Sequence, residues 1–209
     1  QGTTGYDFLI QLGGLFIDQS SEKTFTDLYL LFGGSTHGFA PMLRDKKRMV
    51  LQTLLAAEVS MLTGLLVRIC AGDWRYRDLT TAELSAGVIE WIACLPVYRT
   101  YVDTRGATAD DRRDLDWAFA LTRRLNTEIE PSAFDFLYNL LSGDLAAAPR
   151  SGYRKATLSK VAMRAQQYSG PVMAKGLEDT AFYRYNRFIA LNEVGGQPNK
   201  FRTSIAAFH

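Results

Sequence analysis

Apolar side chains recur at helical spacing along most of the chain, and the breaks between them fall at glycine, proline and cap-forming residues. Ser20-Ser21-Glu22 offers caps for a helix to Phe32 that Gly33-Gly34 closes, with Phe25, Leu28, Tyr29 and Phe32 on one face expected to be core. From about Pro41 to Ala71, Met42, Met49, Leu54, Leu55, Val59, Leu62, Leu66 and Ile69 predict one long helix that Gly72 ends. Further helices are predicted from Thr80-Thr81-Ala82-Glu83 to about Leu95, with Trp91, Ile92 and Leu95 buried, and from Thr108-Ala109-Asp110-Asp111 through Trp117, Leu121 and Leu125. Two more start at Pro131, stopped by Gly143, and at about Lys155, running to Tyr168. Tyr6 to Leu12 predicts a short helix ended by Gly13-Gly14. Val97 to Val102 reads as extended or as a continued helix after Pro96, and Phe188 to Leu191 as strand or helix. The fold class is therefore mainly α: a multi-helical, orthogonal-type single domain over 1–209 with a long central helix and a loop near 144–153.

Composition narrows the function classes. With 209 residues and 47% hydrophobic content the chain can bury a full core without staples. A net charge of +2 gives no reason to invoke nucleic acid or an anionic membrane, and no apolar stretch reaches the ~20 residues of a membrane span. Cys70 and Cys94 sit alone in apolar stretches, which predicts buried free thiols and a cytoplasmic location. His37 and His209 lack nearby ligands, so no metal site and no cofactor are expected. No phosphate-binding glycine loop, Gly-x-Ser-x-Gly elbow, histidine triad or internal repeat occurs. Asp45-Lys46-Lys47-Arg48 reads as a solvated face.

The densest chemistry lies between Gly170 and Tyr185. Gly170-Pro171 reads as a helix start, and on the helix that follows Lys175, Glu178, Asp179 and Phe182 fall at i, i+3, i+4 and i+7 on one face. Such a face suits a sugar, with charged groups for hydroxyls and an aromatic for the apolar side of a pyranose. It also suits a plain ion-paired surface. Glu178 and Asp179 point about 100° apart and are poorly placed to flank one glycosidic bond.

The run Gln166 to Arg187, followed by Leu191-Asn192-Glu193-Val194-Gly195-Gly196, resembles the maltooligosyltrehalose synthases. So do Gly2-Thr3-Thr4-Gly5-Tyr6-Asp7-Phe8, Gly14 to Asp18, Asp45 to Arg48 and Leu95 to Tyr101, in the same order, with Ala165 and Ser169 as mild departures. The resemblance implies a helical segment excised from an α-amylase-like (β/α)8-barrel enzyme that turns the reducing-end α-1,4 linkage of a maltooligosaccharide into an α,α-1,1 linkage. By the family's pattern the nucleophile and acid precede the Gly-Thr-Thr-Gly-Tyr motif and a third acid follows in a His-Asp pair absent here, so this chain alone is expected to be inactive. Its partners would be the maltooligosaccharide and the barrel of the same polypeptide. The resemblance points to Lys175, Glu178 and Asp179 as hydroxyl contacts, Phe182 and Tyr183 as stacking or water-excluding groups, Tyr6 and Arg184 as supports, and Tyr98 and Arg99 as secondary contacts. The alternatives are a purely structural helical module and, more remotely, an independent hydrolase using Glu90, Asp179 or Glu193.

Overall fold

The computed structural model describes residues 5–147 and 153–209, so Gly2-Thr3-Thr4 and the stretch 148–152 of the expected loop lie outside the described residues. The chain is mainly helical, and among the described residues no strand forms beyond an isolated bridge between Asp103 and Gly106. It divides into two compact units, Lys47–Ala174 and a second built from Gln1–Lys46 with Lys175–His209.

In the unit Lys47–Ala174, α4 (Ala56–Cys70), α5 (Thr81–Cys94), α6 (Ala109–Leu125), α7 (Pro131–Ser142), α8 (Asp144–Ala147) and α9 (Lys155–Met173) surround one core. Trp91, Phe134, Phe136, Leu62, Leu84 and Leu115 are all but sealed from solvent. The helix boundaries follow local chemistry. Thr80 and Glu83 form a reciprocal capping box at the start of α5, and Thr108 with Asp111 does the same for α6. Pro131 opens α7, and Gly143 closes it at φ +87°, a conformation that a side chain would strain. The start of the expected loop is itself the short helix α8.

Several expectations are overridden in the fold. The long helix is broken: α3 (Phe39–Gln52) and α4 meet at Thr53–Leu55 with an 80° bend. There the Leu55 N–H reaches back five residues to the Val50 carbonyl and the Thr53 hydroxyl donates to the Met49 carbonyl at 2.7 Å, a closure that leaves Leu54 exposed. Lys47 is buried rather than solvated. Its ammonium donates to the Leu95 carbonyl at 2.8 Å, while Arg48 pairs with the buried Glu90 at 2.8 Å. Gly170-Pro171 does not begin a helix, because α9 runs through both residues to Met173. The Tyr98–Val102 stretch is irregular, and buried side chains of α9 hold it. Gln166 accepts from the Thr100 hydroxyl (2.9 Å) and the Val102 N–H (2.7 Å) and donates to the Val102 carbonyl (2.9 Å), while Ser169 donates to the Tyr98 carbonyl (2.8 Å).

In the other unit, α1 (Tyr6–Leu15) passes through Gly13 and Gly14 instead of stopping there, with Gly14 buried and its carbonyl accepting from the Thr203 N–H at 3.1 Å. The helix α2 (Glu22–Leu31) ends at Phe32 as expected, yet it buries no residue; Leu28 and Phe32 are exposed. Arg187 ties the unit together, donating to Glu22 (3.1 Å) and the Pro198 carbonyl (2.8 Å) and lying over the Phe201 ring. A turn of 3-10 helix at Ile189–Leu191 and the short α10 (Ile205–Phe208) complete the unit. Of the strand and helix readings of Phe188 to Leu191, the helical one holds, as a single 3-10 turn.

Candidate functional site

Pro171 sits inside α9 and cannot donate a backbone hydrogen bond, so the ladder loses a rung there. Three residues on, Ala174–Ala181 winds as a π-helix, the wider form in which each N–H reaches back five residues. The Phe182 N–H continues that pattern to the Leu177 carbonyl at 3.0 Å, and the Thr180 hydroxyl donates to the Lys175 carbonyl at 2.7 Å.

The wider winding changes which side chains share a face. At about 80° per residue instead of about 100°, Asp179 stays beside Lys175, Glu178 swings to one side, and Phe182 moves to the opposite face. The contacts agree. Lys175 and Asp179 are exposed and paired with each other, and that hydrogen bond raises the Lys175 pKa above its ordinary value. Glu178 is half-buried. Phe182 is only 6% exposed and stacks on Phe39 with ring centres 6.2 Å apart, so it is not available to stack on a sugar. Tyr183, next in sequence, is 77% exposed.

An aromatic cluster anchors the end of this segment: Tyr185 lies 5.3 Å from Phe39 and 5.2 Å from Tyr29. Asn192 closes it by donating to the Phe182 carbonyl (2.7 Å) and the Tyr185 carbonyl (2.8 Å). Beside the cluster an open groove of about 880 Å³ runs between α2, the turn that follows it and the Arg184–Arg187 stretch. Phe25, Leu28, Phe32 and Met42 are among its apolar lining, and Asp45, Lys46, Arg184 and Arg187 bring charges to it. Tyr29 is fixed in the wall: its hydroxyl accepts from the Ser35 N–H at 3.0 Å, and its ring lies so close to Gly34 that a Cβ there would come within 2.4 Å of it.

Of the residues singled out from sequence, Lys175, Glu178, Asp179, Phe182, Tyr183 and Arg184 lie together on one segment, and Arg184 also lines the groove. Tyr6 stands at the start of α1, half exposed and outside the groove lining. Tyr98 and Arg99 belong to the Lys47–Ala174 unit, where both are half-buried and the Arg99 guanidinium lies 4.4 Å from the centre of the Tyr101 ring. Sequence reasoning missed Phe32 and Leu28 as groove residues because helical periodicity marks a face without saying what covers it. It also missed Gln166 and Asn192 as hydrogen-bonding organisers, although both fall inside the motif stretches. Among the described residues no group of histidine, cysteine or carboxylate side chains is arranged to hold a metal.

No protein-family model matches the chain. A curated Mycobacterium tuberculosis protein named "Putative maltooligosyl trehalose synthase" is 30% identical over 208 residues, a match that takes in 100% of this chain and 24% of that protein. The solved structure of maltooligosyltrehalose synthase from Arthrobacter ramosus aligns at 30% identity and a TM-score of 0.76, covering 99% of this chain and 23% of the other. A solved glycosyltrehalose synthase aligns at 27% identity and a TM-score of 0.64, covering 99% and 21% respectively. The chain thus spans about a quarter of the length of the relatives it matches, and over essentially its whole length it is similar, in sequence and in fold, to a helical segment of the maltooligosyltrehalose synthases.

Proposed function

We propose that the chain builds one wall of the sugar site of a maltooligosyltrehalose-synthase-type enzyme. Lys175, Glu178 and Asp179 would contact hydroxyls of the reducing-end glucose, with Tyr183 against the ring and Arg184 and Tyr6 in support. Phe182, buried on Phe39, would seat Tyr183 and keep water out. Within the Lys47–Ala174 unit, Tyr98 and Arg99 would be secondary sugar contacts of that unit by itself, with the Tyr98 carbonyl held by the Ser169 hydroxyl.

A (β/α)8 barrel elsewhere in the polypeptide would carry the acid and the nucleophile. The reaction would be retaining glycosyl transfer within one site, in which the released glucose turns and attacks through its anomeric hydroxyl while water is excluded. A cytoplasmic setting fits the buried free thiols of Cys70 and Cys94.

The observation that carries this reading is the exposed Lys175–Asp179 pair on a π-helical segment, a winding that recurs at functional sites, within a chain similar throughout to those synthases. The same pair also favours a second reading, in which the two side chains only stabilise each other and the segment is structural. Calorimetric titration with maltopentaose separates them. The sugar-site reading expects saturable binding, weakened at least ten-fold in the triple variant Lys175→Ala, Glu178→Ala, Asp179→Ala, without loss of reducing ends or release of glucose by the chain itself. Equal binding by a folded triple variant would leave the structural reading.

A further inference from the structure

We infer that the groove between α2 and the Arg184–Arg187 stretch is a binding site for an α-1,4-glucan chain, distinct from the Lys175–Asp179 face and reading the length of the oligosaccharide. The sugar class rests on the function proposed above; the place and the role rest on the groove itself.

The groove's composition matches the two-sided chemistry of a pyranose, which presents C–H faces and a rim of hydroxyls. Phe32, at the end of α2, is 85% exposed, and Leu28 beside it is 47% exposed, so the apolar side of the groove meets solvent instead of core. Asp45, Lys46, Arg184 and Asn186 supply charged and amide groups to the same space. Those groups can take hydroxyls while a ring packs on Phe32.

Size points to more than one sugar ring. A glucosyl unit fills about 150–200 Å³ at ordinary packing density, so a groove of about 880 Å³ has room for several.

The wall is also set in advance of any ligand. Tyr29 is pinned by its hydrogen bond from the Ser35 N–H and by the close approach of Gly34, and its ring packs on Tyr185, 5.2 Å away. Tyr185 and Phe182 both pack on Phe39. The groove wall and the Lys175–Asp179 segment are therefore two sides of one aromatic cluster, and a glucan lying in the groove sits on the support that positions that segment. Pre-set walls spare a ligand the cost of ordering them, which suits repeated recognition of similar rings along a chain.

Phe32 isolates this site experimentally, because its exposed ring contributes little to folding and belongs to no other proposed contact. The chain, Phe32→Ala and Phe32→Trp would be titrated calorimetrically with maltotriose and maltoheptaose, with Trp117→Ala, an exposed aromatic of the other unit, as control. The inference expects maltoheptaose to bind more tightly than maltotriose. It further expects Phe32→Ala to weaken maltoheptaose about ten-fold, Phe32→Trp to restore it, and Trp117→Ala to stay within two-fold of the parent. Maltoheptaose binding within two-fold of the parent in Phe32→Ala, or no preference for the longer sugar, would overturn it. If the triple variant at Lys175, Glu178 and Asp179 loses binding while Phe32→Ala keeps it, the groove is refuted and the proposed function stands; the reverse pattern refutes the Lys175 face and leaves the groove.

Discussion

Lys47→Met tests how far burial dominates the energetics of the Lys47–Ala174 unit. Lys47 is 3% exposed, and burial lowers its pKa from 10.5 to about 8, against a smaller opposing influence from Cys94. At about 1.4 kcal/mol per pKa unit, that drop puts about 3 kcal/mol against holding the ammonium in the fold at neutral pH. Methionine fills a similar volume without charge but leaves the Leu95 carbonyl without this donor, a loss of about 1–3 kcal/mol. At pH 7 the variant should therefore be between equal to the parent and about 2 kcal/mol more stable. The sign reverses on raising the pH. Between pH 8 and 10.5 the folded amine is neutral while the unfolded one still holds its proton, so the unfolded state binds more protons and the parent gains stability with pH. The parent-minus-variant difference should climb by about 3 kcal/mol across that window. Urea unfolding of both proteins at pH steps from 7 to 10.5 measures it. A variant destabilised by more than about 3 kcal/mol at pH 7, with a flat difference curve, would refute the reasoning and mean that the fold satisfies the charged ammonium.

Other perturbations follow from the same geometry. Gln166→Ala leaves the Thr100 hydroxyl and both backbone groups of Val102 without their buried partner, and chemical denaturation should show a loss of about 3 kcal/mol. Asp73 is held down at about pH 2 chiefly by its hydrogen bonds from Arg75, helped by the Tyr153 hydroxyl, so its contribution is present above its ordinary 3.8 and is lost as pH falls through 2. Asp73→Asn should accordingly flatten the acid limb of a stability profile between pH 4 and 2; an unchanged acid limb would contradict this. Thr80→Ala removes the hydroxyl that accepts from the Glu83 N–H and should cost about 1 kcal/mol in thermal unfolding.

The parts of this fold legible in the sequence are those set by local chemistry. Thr80 with Glu83, Thr108 with Asp111, Pro131 and Gly143 mark helix ends through hydrogen bonds and φ angles that need only near neighbours. Where distant residues decide, local signals mislead. Gly13-Gly14 looks like a stop, but Gly14 is packed on Thr203 and the helix continues. Lys47 looks solvated, yet an acceptor 48 residues away holds it inside.

The candidate site divides in the same way. The motif residues stand out in the sequence by their density, and the pairing of Lys175 with Asp179 follows from either helical winding. Helical periodicity puts Phe182 on the wrong face, because the π-helix that follows Pro171 changes the angle per residue and α-helical spacing does not include that winding. The groove could not be read at all. Its apolar side is built from a stripe on α2 that has the pattern of a core face, and only the three-dimensional arrangement shows it uncovered in its unit.

Amide NMR of the isotopically labelled chain, titrated with maltopentaose, tests most directly whether the Gly170–Tyr185 stretch meets sugar. Saturable shifts are expected at residues 175–184, with those of Lys175, Asp179 and Tyr183 among the largest. An unperturbed 175–184 segment at saturating sugar, or shifts confined to residues 47–174, would contradict it.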